Sequence, residues 1–130
     1  MKKVFLTAVL FFALFTFANA DGIYKRVKFE KGTSSAIYIG AVVSGDVDTY
    51  ILRAGKYEDL IVSVSSVKNN AVFKIIDDKT GKTLKGAGED DKATDFKIEL
   101  PRSGDYRIIV KPTIGNASYK LNIEVSKFLF

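Results

Sequence analysis

The amino-acid sequence predicts an all-β protein, an antiparallel β-sandwich of about eight strands. Three observations support this fold class. Apolar and polar residues alternate with a period of two along most of the chain, as they do in strands with one buried face. Clusters of Gly, Asp, Asn and Ser separate these short segments at the spacing of turns. No segment has the 3.6-residue apolar period of an amphipathic helix.

The N-terminus has the pattern of a cleaved export signal. Two lysines follow Met1, an apolar run covers residues 4–17, and an Ala-x-Ala sequence stands at residues 18–20. A membrane-spanning helix is the alternative, but the run is shorter than the roughly 20 residues that a span needs. We therefore expect residues 1–20 to be a signal helix that is removed on export. Residues 21–130 then form a single domain in the periplasm or outside the cell.

The composition excludes several classes of protein. The chain contains no Cys and no His, which removes thiol nucleophiles, Ser-His-Asp triads and thiolate or imidazole metal sites. Without disulfides, the domain must fold on its apolar core alone. After loss of the leader, 18 of the 20 basic residues remain against 15 acidic ones, a net charge of +3. These charges are interleaved, unlike the basic clusters of nucleic-acid-binding proteins.

The first half of the domain contains five predicted strands. The segments are residues 24–29, 35–43, 49–53, 60–65 and 71–76. Gly40 lies in the middle of the second segment, where it indicates a bulge or a close approach of another backbone. The alternation predicts inward-facing side chains at Val27, Phe29, Tyr50, Leu52, Leu60, Val62, Val64, Ala71, Phe73 and Ile75.

The second half begins with a predicted hairpin turn at residues 77–81, where Gly81 is free to take a positive φ. A short strand at residues 83–84 and a polar loop at residues 86–92 follow. Pro101 and Pro112 end the next two strands, and residues 127–130 form an apolar tail. The predicted inward-facing side chains are Phe96, Ile98, Leu100, Tyr106, Ile108, Val110, Tyr119, Leu121, Ile123 and Val125.

Acidic residues cluster at residues 46–48, 77–78 and 89–91. Converging carboxylates could bind calcium, which takes six to eight oxygen ligands, but Asp also stabilises turns through its own side chain. We favour the turn interpretation and expect no metal or cofactor. Paired carboxylates also serve glycoside hydrolysis, which needs one carboxyl in an apolar pocket. These acids stand among Gly, Lys and Ser, so we do not expect an enzyme.

The turn at residues 103–106 has two interpretations. In the first, Gly104 makes the turn and Tyr106 begins the next strand, with its ring packed and its hydroxyl bonded to nearby backbone, as in the tyrosine corners of sandwiches. In the second, Ser103 and the loop tip project outward as a recognition surface. The residues alone favour the first interpretation, because a turn glycine before a strand tyrosine is common.

Three segments carry a resemblance to a known family. Residues 29–40 read Phe-x-Lys-Gly-x-Ser-Ser-Ala-x-Tyr-x-Gly, residues 45–50 read Gly-Asp-x-Asp-x-Tyr, and residues 103–106 read Ser-Gly-x-Tyr. Together they resemble the periplasmic inhibitors of g-type (goose-type) lysozyme. That family is related in fold to bacterial pre-peptidase C-terminal domains, which are sandwiches of about eight strands.

The resemblance implies a protein that blocks an enzyme rather than one that performs catalysis. In that family a Ser-Gly-x-Tyr loop is described as entering the lysozyme cleft, so Ser103, Gly104 and Tyr106 take those roles by match. Arg102 is either a further partner for a lysozyme carboxylate or an exposed solubilising charge. The chain departs from the family at residues 113–117, where the expected basic residues are absent. The implied partner is a g-type lysozyme.

A competing hypothesis is an exported accessory module that binds peptidoglycan or polysaccharide without inhibiting anything. An envelope structural protein without a ligand is a third possibility. A polysaccharide-binding module would present a row of aromatic residues on one exposed sheet face. The candidates are Tyr24, Tyr38, Tyr50 and Tyr119, yet the alternation places each of them in the core.

Overall fold

The computed structural model describes residues 22–88 and 92–126. The predicted leader at residues 1–20, the tail at residues 127–130 and the acidic cluster at residues 89–91 lie outside the described residues. Eight strands are present: β1 (Tyr24–Arg26), β2 (Ser35–Val42), β3 (Asp48–Ala54), β4 (Asp59–Ser66), β5 (Ala71–Asp77), β6 (Asp95–Glu99), β7 (Gly104–Pro112) and β8 (Ala117–Ser126). The described part of the chain contains no helix with the length and apolar character needed to cross a bilayer.

The strands form two four-stranded sheets, ordered β1-β3-β7-β5 and β2-β8-β4-β6. All neighbouring strands pair antiparallel except β1, which runs parallel to β3 with Lys25 opposite Tyr50. The β-sandwich prediction is therefore confirmed, with one parallel edge that it did not include. Strand β1 is only three residues long and is followed by the irregular segment at residues 27–34. No local pattern therefore predicts its direction.

The two sheets bury a continuous core between their inner faces. Its side chains come from alternate positions of the strands, as the period of two predicts. In β4, for example, Leu60, Val62 and Val64 point inward between half-buried neighbours. The largest fully buried side chains are Tyr50, Tyr106, Phe73, Leu52, Leu60, Ile75, Leu100, Ile108, Leu121, Ile123, Val42 and Val62.

Five predicted core positions lie at the margin or outside, and two of them, Phe29 and Tyr38, are half-buried against the core. Phe96 and Ile98 face inward and pack against the core, but both are only half-buried, because β6 is an edge strand. Tyr24 was expected inside and is instead 70% exposed. It belongs to the outer edge of its sheet, where no further strand covers it within the described residues.

Gly40 lies at the contact that links the two sheets. It pairs directly with Tyr119 in an uninterrupted β2–β8 register, so the predicted bulge is absent and the predicted close approach is present. The approaching group is the Tyr119 ring rather than a backbone. Its hydroxyl donates to the Asp48 carboxylate over 2.5 Å and lies 2.6 Å from the hydroxyl of Tyr50 on the opposite sheet.

Asp48 corrects the turn interpretation of the acidic cluster at residues 46–48. It is 2% exposed, and its second oxygen accepts the backbone N–H of Ile23 over 2.9 Å. A buried carboxylate is tolerated because both of its oxygens are hydrogen-bonded. The turn itself is formed by the residues before it, where the Asp46 N–H donates to the Val43 carbonyl and Gly45 has a φ of 91°.

The hairpin at residues 77–81 is present as predicted. The Gly81 N–H donates to the Asp77 carbonyl over 2.8 Å, and Gly81 has a φ of 73°. The short strand expected at residues 83–84 is a single bridge between Thr83 and Ile76. The loop that follows was predicted to be polar. Its residue Ala87 is instead fully buried, and the Ala87 carbonyl accepts the N–H of Ile75.

Candidate functional site

The Ser-Gly-x-Tyr loop lies at one end of the sandwich, where the chain crosses from one sheet to the other. Residues 101–103 leave β6 and enter β7 at Gly104. Gly104 has a φ of 150°, a conformation that side chains with a Cβ rarely adopt. It pairs with Ala54, so the loop stands beside the connection between β3 and β4.

Ser103 is exposed at the tip of this loop. Its hydroxyl oxygen accepts the backbone N–H of Lys56 over 2.8 Å. A hydroxyl that accepts one hydrogen bond still has a hydrogen to donate. The contact with Lys56 therefore fixes the position of the Ser103 oxygen and leaves its O–H available to an acceptor outside the protein.

Tyr106 is fully buried. Its hydroxyl donates to the carbonyl of Arg102 over 2.5 Å, and burial raises the pKa of the phenol. This is the tyrosine-corner geometry of the first interpretation. The sequence hypothesis also gave Tyr106 a direct part in recognition, and here the structure differs, because no surface of the ring is open to a partner. Tyr106 can act on a partner only by holding the loop in shape.

Arg102 has a partner within the chain in addition to the two roles considered for it. Its Nε lies 3.0 Å from the carboxylate of Asp77 at the end of β5, and that carboxylate is 6% exposed. The two groups are close enough for an ion pair, although their alignment falls short of a hydrogen bond. A nearly buried carboxylate needs a cation or several donors. Arg102 therefore stabilises Asp77, with 43% of its own side chain still exposed.

The loop is fastened to its neighbour by backbone hydrogen bonds. The Tyr57 N–H donates to the Leu100 carbonyl over 3.0 Å, and the Leu100 N–H donates to the Glu58 carbonyl over 2.8 Å. The Glu58 carboxylate closes the turn by accepting the N–H of Gly55. Two connections at this end of the sandwich therefore form one unit that supports Ser103.

A cleft of about 480 Å³ opens beside Ser103. Its walls combine apolar groups with one cation and one anion at the rim, Arg53 and Glu58. The residues that line it are Phe29, Thr33, Ser34, Arg53, Ala54, Gly55, Glu58, Ser103 and Val125. A partner protein can contact the Ser103 hydroxyl and place a side chain in the cleft next to it.

Two arginines share one carboxylate next to this cleft. Asp105 accepts hydrogen bonds from Arg26 over 3.3 and 3.4 Å, while Arg53 lies 3.7 Å away. The hydrogen bond from Arg26 holds the pKa of the Asp105 carboxyl below its usual range. Arg53 is 75% exposed, so its charge is only partly compensated and faces solvent beside Ser103.

Sequence reasoning did not identify Lys56, Arg53 or the cleft. Lys56 precedes Ser103 by 47 positions, and their contact depends on how β3 and β4 are connected. The position of Arg53 follows from its pairing with Asp105 across β3 and β7. Both contacts depend on the register between paired strands. This register cannot be predicted from the alternation within a single segment.

No group of three or more Asp or Glu side chains within residues 22–88 and 92–126 is arranged to hold a metal ion. Asp77 and Asp78 have protein partners instead. Asp77 is next to Arg102, and Asp78 accepts a hydrogen bond from Arg107 over 2.6 Å. The Asp77 carboxylate also accepts the N–H of Lys79, as Asp does in turns.

Comparison with known proteins gives one consistent family. No family model matches the chain. An inhibitor of g-type lysozyme from Escherichia coli (strain K12) is 32% identical over 125 residues, which cover 91% of this chain and 92% of that protein.

Solved structures agree with this result. A mutant of a periplasmic inhibitor of g-type lysozyme from Escherichia coli superposes with a TM-score of 0.66 at 26% identity, covering 81% of this chain and 99% of that one. The pre-peptidase C-terminal domain of a collagenase from Bacillus anthracis gives a TM-score of 0.62 at 14% identity, covering 82% and 99%. The second likeness concerns the fold alone, and it confirms the predicted sandwich type.

Proposed function

Because the chain belongs to the family of inhibitors of g-type lysozyme, we propose that it is a periplasmic inhibitor that blocks the cleft of a g-type lysozyme. The observation that carries the proposal is 32% identity along 91% of the chain. The protein acts by binding, and its relatives are described as inhibitors rather than enzymes.

The Ser103 loop is the part that enters the cleft in this proposal. Lysozymes cleave glycosidic bonds with the help of a carboxylic acid. The Ser103 hydroxyl has a hydrogen to donate and is exposed at a loop tip, so it can bond to such a carboxyl group. Hydrogen bonds to charged groups contribute about 1.5–3 kcal/mol each, and inside a desolvated cleft a few of them can dominate affinity.

The rigidity of the loop supports the same role. Ser103 is held by Lys56, and the backbone at Arg102 is held by Tyr106. Ordering a flexible loop on binding costs free energy, and a loop that is already ordered avoids this cost. In this proposal Ser103 contacts the lysozyme, Gly104 permits the turn, and Arg102 and Tyr106 keep its shape.

Arg53, at the rim of the cleft beside Ser103, is a further candidate for a contact with the lysozyme. It is the more exposed of the two arginines beside Asp105. Residues 113–117, which contain no basic residue, lie at the opposite end of β7 from Ser103, and the exposed basic residues beside Ser103 include Arg53 and Lys56. A carboxylate on the lysozyme could bind the Arg53 guanidinium through two parallel hydrogen bonds.

We also propose that residues 1–20 are the export signal and that the working protein begins at Asp21. This proposal rests on the pattern of two lysines, an apolar run and Ala-x-Ala at the N-terminus. Mass spectrometry of protein recovered from the periplasm checks this directly. A mass that includes residues 1–20 would contradict the cleavage.

Within the described residues, the four tyrosines considered do not form the exposed row that the alternative, a polysaccharide-binding module, would present. Tyr50 and Tyr119 are buried, and the Tyr38 ring packs on Tyr50 with 5.0 Å between centroids. Of the four tyrosines considered, only Tyr24 is largely exposed. One ring does not make the aromatic row that stacks on sugars.

The proposal is tested by the rate at which lysozymes clear bacterial cell walls with and without the exported protein. Lysozymes of the g, c and i types are compared at equal activity. We expect slower clearing with the g-type enzyme only. Binding of the protein to purified walls without any slowing would support the accessory-module hypothesis instead.

A further inference from the structure

Tyr57, in the connection between β3 and β4, has a backbone conformation that is costly for its side chain. Its φ is 72°, in the left-handed region where a bulky residue is an outlier. The other described non-glycine residue with a positive φ is Asn69, and asparagine adopts this conformation more readily because its short side chain can hydrogen-bond locally. Strained residues of the kind seen at Tyr57 cluster at binding sites and active sites.

The turn has a positive φ at this position, but it does not need a tyrosine there. The Glu58 N–H donates to the Gly55 carbonyl over 3.2 Å, and the Tyr57 N–H donates to the Leu100 carbonyl over 3.0 Å. A glycine at position 57 could make the same backbone hydrogen bonds without strain, because it has no Cβ. The backbone of the turn therefore does not explain the side chain of Tyr57.

The Tyr57 side chain also contributes little to the core. It is 58% exposed, and it is not among the residues that form the core or pack against it. Within residues 22–88 and 92–126, no group hydrogen-bonds to its hydroxyl. Removing the ring should therefore cost the folded state little.

Lys56 connects the Tyr57 ring to the Ser103 loop. The Lys56 N–H donates to Ser103 Oγ over 2.8 Å, and the Lys56 ammonium group lies 5.0 Å from the centre of the Tyr57 ring, a distance at which a cation and an aromatic face attract each other. Because consecutive Cα atoms are about 3.8 Å apart, the Tyr57 Cα lies at most about 8 Å from the Ser103 hydroxyl oxygen. The two side chains are therefore close enough to contact one partner at the same time.

The chemistry of the Tyr57 side chain suits a cleft that binds sugars. A sugar ring has an apolar face and a rim of hydroxyl groups, and a tyrosine ring likewise combines an apolar body with a hydroxyl. Tyrosine also brings a large contact area at a low cost in conformational entropy, because binding fixes only two side-chain torsions. Buried tyrosines of this kind are among the residues that contribute most to affinity at protein interfaces.

We propose that Tyr57 is the aromatic anchor of the inhibitory surface, and that its ring enters the sugar-binding part of the lysozyme cleft beside the carboxyl group that Ser103 contacts. This inference rests on the proposed function, since it takes the Ser103 loop as the part that enters the cleft. The ring supplies apolar contact area, and its hydroxyl bonds to a group that otherwise holds a sugar hydroxyl. The strained turn is retained because it places the ring next to Ser103.

The first test compares stability with affinity in Tyr57→Gly. Glycine relieves the strain and keeps the turn, so thermal unfolding should occur at the wild-type temperature or above it. Calorimetric titration into a g-type lysozyme should show binding that is weaker by about tenfold or more, as expected for an anchor residue. Wild-type affinity would overturn the proposal. A loss of affinity together with a loss of stability would assign the ring to the fold and overturn it as well.

Two further variants serve as controls in the same titration. Tyr24→Ala removes another exposed tyrosine ring, 70% exposed on β1, and should bind like the wild type. Tyr57→Phe keeps the ring and should lose less affinity than Tyr57→Gly, whereas equal losses would contradict the role of the ring. If the wild type does not bind the lysozyme, the proposed function and this inference both fail. If the wild type and Tyr57→Gly bind equally well, only the role of Tyr57 fails.

The second test locates the ring within the cleft, with the trimer of N-acetylglucosamine as the probe. The affinities of the wild type and of Tyr57→Gly for the lysozyme are measured with and without a saturating concentration of the trimer. The trimer should lower the affinity of the wild type by the larger factor, because Tyr57→Gly leaves the sugar site open. Equal factors for the two proteins would place Tyr57 outside the sugar-binding part of the cleft and overturn the proposal.

Discussion

The Tyr119 ring lies against Gly40 on the neighbouring strand, and a Cβ at position 40 would stand 2.5 Å from the Tyr119 hydroxyl oxygen. The same hydroxyl donates to Asp48 and contacts Tyr50 across the sandwich. The absence of one side chain on β2 therefore makes room for the hydrogen bonds that join the two sheets. Gly40 is the last residue of the motif at residues 29–40, and its contact with Tyr119 explains why a glycine stands there.

Gly40→Ala should destabilise the protein by about 1–3 kcal/mol, the cost of overpacking a filled interior. The ring cannot move aside without breaking its bonds to Asp48 and Tyr50. Urea unfolding followed by circular dichroism measures the loss. The control is Gly55→Ala, where the nearest atom to the new Cβ is a Glu58 carboxylate oxygen at 3.0 Å, at the end of a side chain outside the core. Equal losses in the two variants would mean that Tyr119 is free to shift.

Three of the six tyrosines should resist ionisation until the protein unfolds. Burial raises the pKa of Tyr119, Tyr50 and Tyr106, and for Tyr119 the hydrogen bond to Asp48 raises it further. A raised folded pKa gives stability that is complete below the unfolded value, about 10 for tyrosine, and that is lost as the pH rises above it. Ultraviolet absorbance of the phenolate and circular dichroism, followed together, should show these three ionising with unfolding. Ionisation of all six with the fold retained would contradict the buried network.

Phe73→Ala should cost about 3–5 kcal/mol, the usual range for a buried phenylalanine, and Phe96→Ala should cost clearly less. Phe73 is 1% exposed in the centre of the core. Phe96 packs on the same core from the edge strand β6 and is only half-buried. Denaturant unfolding of the two variants gives the comparison. A larger loss for Phe96→Ala would mean that the sheet edge is better covered than described.

Much of the fold could be predicted because it depends on local patterns. The alternation of Leu60, Val62 and Val64 with more polar residues gave the correct inward face, and Gly81 gave the correct turn. Each of these signals lies within a few residues of the structure that it determines.

The parts that could not be predicted depend on contacts between distant residues. Asp48 stands in a turn-like sequence, but its partner Tyr119 is 71 positions away. Arg102 was predicted to be either a contact for a lysozyme carboxylate or an exposed charge, and its partner Asp77 lies at the end of β5. The candidate loop was predicted from its local Ser-Gly-x-Tyr motif, while the buried position of Tyr106 depends on the packing of both sheets.

Tyr106→Phe should lower stability by about 0.5–1.5 kcal/mol, the net contribution of one hydrogen bond, and should also weaken inhibition. The ring stays in the core, and the loss of the bond to the Arg102 carbonyl loosens the loop that carries Ser103. Unfolding and cell-wall clearing are measured on the same samples. Tyr24→Phe is the control, because its side chain is 70% exposed and it pairs with Thr49, away from the loop. If Tyr106→Phe inhibits as well as the wild type, this bond does not shape the loop for binding.

The Ser103 hydroxyl tests the central claim most directly, by calorimetric titration of the exported protein into a g-type lysozyme. Ser103→Ala should bind roughly ten- to a hundredfold more weakly, which corresponds to about 1–3 kcal/mol. The fold should be unchanged, because in the free variant the exposed Lys56 N–H can bond to water. Ser118→Ala, at an exposed serine on β8, should bind like the wild type. Wild-type affinity for Ser103→Ala would contradict the account and place the inhibitory surface elsewhere.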